Sequence, residues 1–130
     1  MNSFIRLMMS VLAAGLVLVL NTKTARAQDP VQVDPRHYKV MLESKEVRVL
    51  QITYGPHEKS VMHEHPASVV VCLTDQDVKF TFPDGKTEER HMKAGQSELH
   101  AAGKHLPENL SDKPLEAVLV ELKTQPATAQ

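Results

Sequence analysis

The sequence predicts an all-β fold, an antiparallel sandwich or closed barrel. Three observations carry that expectation. Outside an apolar leader, no stretch repeats its apolar residues with the period of a helix. Eight or nine short runs rich in Val, Leu, Ile, Thr and Phe follow one another, and turn signals separate them every 8 to 12 residues. At 130 residues the chain has room for one such domain with a real core, and too little for two.

The elements follow in order. Arg6, the apolar run Leu7 to Leu20 and the small-x-small sequence Ala25-Arg26-Ala27 read as a secretory signal peptide over residues 1–27, cleaved after Ala27. The apolar run is shorter than the roughly 20 residues that span a bilayer, so no stable membrane anchor is expected. Residues 28–130 then form a single domain, with its core over about 38–122, in the periplasm or secreted. Gln28 to His37 contains two prolines and little periodicity, and reads as an extended arm. Tyr38 to Glu43 and Val47 to Tyr54 are strands joined by the polar turn Ser44-Lys45-Glu46, and Gly55-Pro56 ends the second. Val61 to His65 and Ser68 to Leu73 are the next two, the latter an apolar run suited to a barrel wall. In Asp77 to Phe82, Val78, Phe80 and Phe82 alternate onto one face, and Pro83-Asp84-Gly85-Lys86 turns the chain. Thr87 to Met92, Ser97 to Ala101 and Leu115 to Leu122 complete the strands, with Ala102-Gly103-Lys104 read as a turn before His105.

Charge and cysteine content narrow the function classes. Three of the 15 Lys and Arg lie in the leader and none of the 16 Asp and Glu does, so the remaining domain is mildly acidic. Without a basic patch, nucleic acid and anionic lipid are not expected partners. The one cysteine, Cys72, sits in an apolar run and reads as a small buried hydrophobe. An exported domain with one cysteine has no internal disulfide, so its stability comes from its core, from bound metal or from a second subunit. A small barrel with edge strands and an N-terminal arm to cover makes a homodimer the expected assembly.

The chemistry centres on Val61-Met62-His63-Glu64-His65-Pro66. In extended chain His63 and His65 point the same way and Glu64 the other, and Pro66 ends the strand. Two imidazoles thus share one pocket. His105, later in the chain and followed by Asn109, supplies a third, since metal sites are commonly completed by ligands distant in sequence. Neutral imidazoles suit Fe, Mn, Ni, Cu or Zn, with metal affinity expected to fall as pH drops through about 6.5. His37, His57 and His91 lie in polar or turn-like surroundings and are expected to be solvated.

The sequence also resembles a known family. Gly55, His63-Glu64-His65, Pro83-Asp84-Gly85, Gly95-x5-Ala101-Ala102-Gly103-Lys104-His105-x3-Asn109 and Pro114-Leu115-Glu116 are similar to the two motifs of a small single-domain cupin. The resemblance covers most of Val47 to Leu122 and implies a double-stranded β-helix, a jelly-roll barrel that often holds a divalent metal. Carried over residue by residue, the implied ligands are His63, His65 and His105. Asn109 is expected to support the loop that aims His105. The chain departs from the pattern where it matters most: the family's glutamate ligand would fall at Val69 or Val70. Glu98 and His100, which alternate onto one face, are the nearest replacements. The lost carboxylate leaves a more positive site that favours an anionic ligand. Two function classes stay open, a metal-dependent oxygenase or isomerase acting on a small organic acid or phenol, and a non-catalytic cupin that binds or senses a small ligand.

Overall fold

Alternation of inward and outward side chains sorts nearly every strand into two antiparallel sheets that close over a common interior. The computed structural model describes residues 28–123, so the leader assigned to 1–27 lies outside the described residues. Strands β1 (Tyr38–Glu43), β2 (Val47–Tyr54), β4 (Ser68–Cys72), β7 (Ser97–His100) and β9 (Leu115–Leu122) form one sheet in the order β1-β2-β9-β4-β7. Strands β3 (His63–His65), β5 (Gln76–Thr81), β6 (Thr87–Met92) and β8 (Gly103–Asn109) form the other, in the order β3-β8-β5-β6. The architecture is a cupin-type double-stranded β-helix, all-β as the sequence predicts.

The period-two pattern explains the core. In β9, Leu115, Ala117 and Leu119 are buried and the residues between them are not. Leu50, Ile52 and Tyr54 of β2, Val70 and Cys72 of β4, and Val78 and Phe80 of β5 meet them inside. Cys72 is buried, its Sγ 3.8 Å from the Met92 sulfur. The β5–β6 hairpin closes where the Gly85 N–H donates to the Phe82 carbonyl at 2.9 Å. Gly85 has φ +84°, a conformation glycine adopts without strain, and the Asp84 side chain accepts from the Lys86 N–H.

Two local expectations fail. The N-terminal arm is not simply extended: Pro30–Val33 forms one helical turn, α1. Asp29 caps it, its Oδ1 accepting from the Val31 N–H at 2.9 Å, and Pro30 stands in the first turn where a missing N–H costs nothing. Ala102-Gly103-Lys104 is not a separate turn before His105, because β8 already begins at Gly103. Antiparallel pairing with β3 extends the strand backward and matches His65 with Gly103 and His63 with His105.

Candidate metal centre

Pairing of β3 with β8 creates the site. Directly opposed residues of an antiparallel pair have Cβ atoms roughly 5 Å apart, so the His63–His105 match alone sets two imidazoles side by side. His65, two residues along, completes the cluster on the same face. Ring centroids lie 4.7 Å apart for His63 and His65, 5.0 Å for His63 and His105, and 5.3 Å for His65 and His105. One nitrogen from each ring can be chosen so that all three lie within 4.8 Å of one another.

Hydrogen bonds fix which nitrogens face the centre. His63 Nδ1 is 2.8 Å from the Val61 carbonyl, which can only accept, so Nδ1 carries the proton and Nε2 presents a lone pair. That Nε2 is buried with no partner among the described residues, in a side chain 0% exposed. His65 Nδ1 is 2.7 Å from the Glu121 carboxylate, which likewise turns the His65 Nε2 lone pair inward. Burial, then the neighbouring His65, lowers the His63 pKa to about 4. Burial, then His65 and His63, lowers that of His105 to about 2. Both rings are therefore neutral well below the expected pH of about 6.5, in the form that ligates metal. An orphaned buried nitrogen converging with two other imidazoles is the donor set a divalent first-row ion requires, and the residues fit such an ion.

Behind the imidazoles stands a shell of carboxylates. Glu121, 2% exposed, accepts from His65 with one oxygen and from Arg48 Nε with the other at 2.6 Å. Arg48 in turn grips Asp29 with two N–H groups at 2.7 and 3.1 Å. Burial pushes the Glu121 carboxyl up, but the bonds from His65 and Arg48 and the Arg48 charge outweigh it, and the group titrates below its ordinary range. On the His63 side, the Ser60 hydroxyl donates to Asp34 at 2.5 Å and offers its lone pair to His63 Nδ1 at 3.3 Å. Such outer partners set the tautomer and aim of a ligating histidine.

The structure distributes the other candidates differently. Val70 faces the interior and Val69 the outside, so neither supplies a carboxylate, as the sequence already implies. Glu98 is held by Arg90 at 2.7 Å and lies 3.4 Å from His100, away from the cluster. His100 lines the cavity but is not one of the three converging rings. Asn109 serves as support: its amide donates to the Gly55 and Lys113 carbonyls at 3.0 and 2.8 Å and its oxygen accepts from the Ser111 N–H. These bonds pin the end of β8 to two loops. His57 and His91 are exposed as expected, and Glu64 lies outside the cluster.

His37 overturns its expectation. It is 5% exposed, stacked on Tyr54 at 4.3 Å, and held between Asp34 at 2.7 Å and Glu58 at 3.0 Å. Asp34 in the turn after α1 and Glu58 from a distant loop both reach the ring, and the second of these is not revealed by local polarity. Glu121 had a readable signal. It continues the inward phase of Leu115, Ala117 and Leu119, and a charge on that phase demands a buried partner. Arg48, on the inward phase of Leu50 and Ile52, is its cross-strand mate.

A cavity of about 430 Å³ opens beside the cluster. His65 and His105 face it, together with Val70, Phe80 and Leu119, and Gln76 and His100 add polar points. Phe80 lies 5.1 Å from His105, forming an apolar floor against the cluster. The wall thus offers shape and apolar contact, while the imidazole end offers coordination.

No family model and no curated protein matches the sequence. Solved structures do. A cupin domain from Bordetella pertussis is 25% identical, with a TM-score of 0.63 over 67% of this chain and 92% of that one. A double-stranded β-helix protein from Klebsiella pneumoniae is 19% identical, with a TM-score of 0.55 over 68% and 78% of the two chains. A cupin superfamily protein from Desulfitobacterium hafniense is 11% identical, with a TM-score of 0.52 over 67% and 76%. The class is therefore defined by fold, a cupin-type barrel carrying three clustered histidines at the edge of an interior cavity.

Proposed function

We propose that the protein is an exported cupin-fold protein that binds one divalent first-row metal ion through His63, His65 and His105 and receives a small, anionic or hydroxylated organic molecule in the adjoining cavity. The observation that carries this reading is the unpartnered, fully buried Nε2 of His63, aimed at the same point as nitrogens of His65 and His105. A bound ion with three protein ligands retains open positions and supplies Lewis acidity or oxygen activation there. The chain's own groups hold the site ready. Val61 and Glu121 fix the tautomers of His63 and His65, and Phe80, Val70 and Leu119 keep bulk water from the cavity end where a ligand's apolar body would rest. His100 stands on the wall with Glu98 behind it, able to hydrogen-bond a ligand's polar group. With no carboxylate among the three converging groups, the loaded centre is cationic and favours a carboxylate or phenolate head.

This arrangement supports a metal-dependent oxygenase or isomerase on a small organic acid or phenol, and the leader-like sequence of residues 1–27 supports placing it in the periplasm or outside the cell. Elemental analysis of protein purified without a histidine tag is expected to give one ion per chain after loading with Fe, Mn, Co, Ni, Cu or Zn in turn. His63→Ala and His105→Ala are expected to abolish it, and His57→Ala and His91→Ala to leave it. Wild type that takes up none of these ions would remove the metal reading. Loaded protein that binds phenols and organic acids without converting them, under oxygen or without it, would assign the cavity to binding or sensing. Export is checked by the intact mass of periplasmic protein, which should lack Met1 to Ala27.

A further inference from the structure

The cavity has a polar, uncharged group at the end away from the histidines. On β5, Gln76, Val78 and Phe80 alternate onto the inward face. Phe80 lies against His105, and four residues separate it from Gln76, so at the rise of an extended strand the glutamine stands roughly 13 Å along the chain from the histidine end. Gln76 is 4% exposed, and its Nε2 donates to the Glu116 carbonyl of β9 at 2.9 Å. That bond crosses from one sheet to the other and closes the barrel there. A carbonyl can only accept, so the amide nitrogen is the group that must meet it and the amide oxygen is the end left over. No hydrogen bond reaches this oxygen among the described residues, and it is not sealed off as the His63 Nε2 is. Since the side chain lines the cavity, the oxygen opens into it.

Closing the barrel does not require a glutamine. The Glu116 carbonyl also accepts from the Leu73 N–H at 2.9 Å, so an apolar side chain in place of Gln76 would leave it paired. An amide oxygen held in an apolar interior without a partner is unfavourable, and a ligand that donates to it offsets the cost. We infer that Gln76 recognises the far end of the cavity's ligand by accepting a hydrogen bond from a hydroxyl group, and that the ligand is an organic acid carrying that hydroxyl at the opposite end of an apolar body.

The inference rests on the proposed metal centre for the acid end alone. Between the two ends the lining is apolar, with Val78, Val70 and Leu119 along its length. At the far end Met92, the cross-strand mate of Gln76, and Ala117, next to Glu116, supply no counter-charge. A charged group there would lose its water and gain no ion pair, so the donor is a neutral one. Less one metal–oxygen contact and one hydrogen bond, the distance along β5 leaves roughly 8 Å between the acid and the hydroxyl oxygen. A cinnamate hydroxylated at the para position spans such a gap with a flat, apolar body.

Calorimetric titration of zinc-loaded, untagged protein with para-hydroxycinnamate, para-methoxycinnamate and cinnamate tests this. Zinc has no redox chemistry, so binding is read apart from oxidative turnover. The hydroxylated acid is expected to bind about 10-fold more tightly than the other two, because a methoxy group has no proton to give. Gln76→Leu is expected to hold as much zinc as wild type and to bind all three acids alike, and Gln76→Met serves in its place should Gln76→Leu fail to fold. Wild type that binds the three alike, or binds none of them, overturns the inference, as does a folded variant that keeps the preference. The same titrations on metal-free protein separate the two readings. A preference for the hydroxyl that persists while zinc alters no affinity removes the metal reading and leaves Gln76 its role. Zinc that tightens all three acids equally, with no preference among them, keeps the metal centre and refutes the role of Gln76.

Discussion

Replacing Glu121 with Gln removes a buried negative charge at almost constant volume. The carboxylate accepts two hydrogen bonds, from His65 Nδ1 at 2.7 Å and from Arg48 Nε at 2.6 Å. An amide has one accepting end. Turned one way, its NH2 group opposes the Arg48 N–H; turned the other, it opposes His65 and forces the proton to the Nε2 that should carry the metal-facing lone pair. Arg48 keeps its two bonds to Asp29, so the fold should survive with a loss of about 2 kcal/mol. Metal affinity is expected to fall about 10- to 100-fold, or ~1.4–2.8 kcal/mol, the usual effect of removing an outer partner of a ligating histidine. Calorimetric titration of stripped wild-type and variant protein with Zn and Co reads the affinity, and urea unfolding reads the stability. A folded variant with unchanged affinity would show that Glu121 does not set the His65 tautomer, and the reasoning would fail.

Three further outcomes are expected. His63 has its pKa lowered to about 4 in the fold, against 6.5 for the ordinary ring. Below 6.5 the unfolded chain takes up a proton that the folded chain refuses, so metal-free protein should lose on the order of 3 kcal/mol from this group as pH falls from 6.5 to 4. Above 6.5 the group contributes no slope, and urea midpoints that rise on acidification across that window would contradict the assignment. His37→Ala strips a ring from between Asp34 and Glu58 and should cost about 2–4 kcal/mol, while His91→Ala on the exposed β6 edge should cost under about 0.5 kcal/mol; equal thermal midpoints would refute the burial argument. Asn109→Ala orphans the Lys113 carbonyl and the Ser111 N–H, while the Gly55 carbonyl keeps its bond from the Glu58 N–H, and should cost about 2–3 kcal/mol, with metal stoichiometry unchanged if Asn109 supports the loops and is not a ligand.

Local sequence determined much of this protein. Apolar and β-branched runs gave β1, β2 and β9 their observed limits, and turn residues on either side gave the polar β6 its own, because each strand is bounded by residues that do not continue it. The His-x-His spacing likewise put His63 and His65 on one face, since pleating requires it. Pro66 ended β3 where a missing donor must. These are properties of a backbone and its near neighbours, and they need no partner.

Pairing between distant segments decided the rest. That His105 belongs to a strand, and lies directly across from His63, follows from β8 running antiparallel to β3, which no window of sequence encodes. The carboxylate sought beside the histidines at Val69 or Glu98 is found behind His65, on a closing strand 56 residues away. It is there because the β2–β9 register sets Arg48 opposite Glu121 and so makes a buried charge tolerable. His37 is buried for the same kind of reason: Asp34 reaches the ring from the same local turn, but Glu58 and the stacked Tyr54 come from distant segments that only the folded chain brings to it. The chain alone specifies which side chains share a face; only the closed barrel specifies which faces meet, because burial and charge compensation are properties of the space between strands.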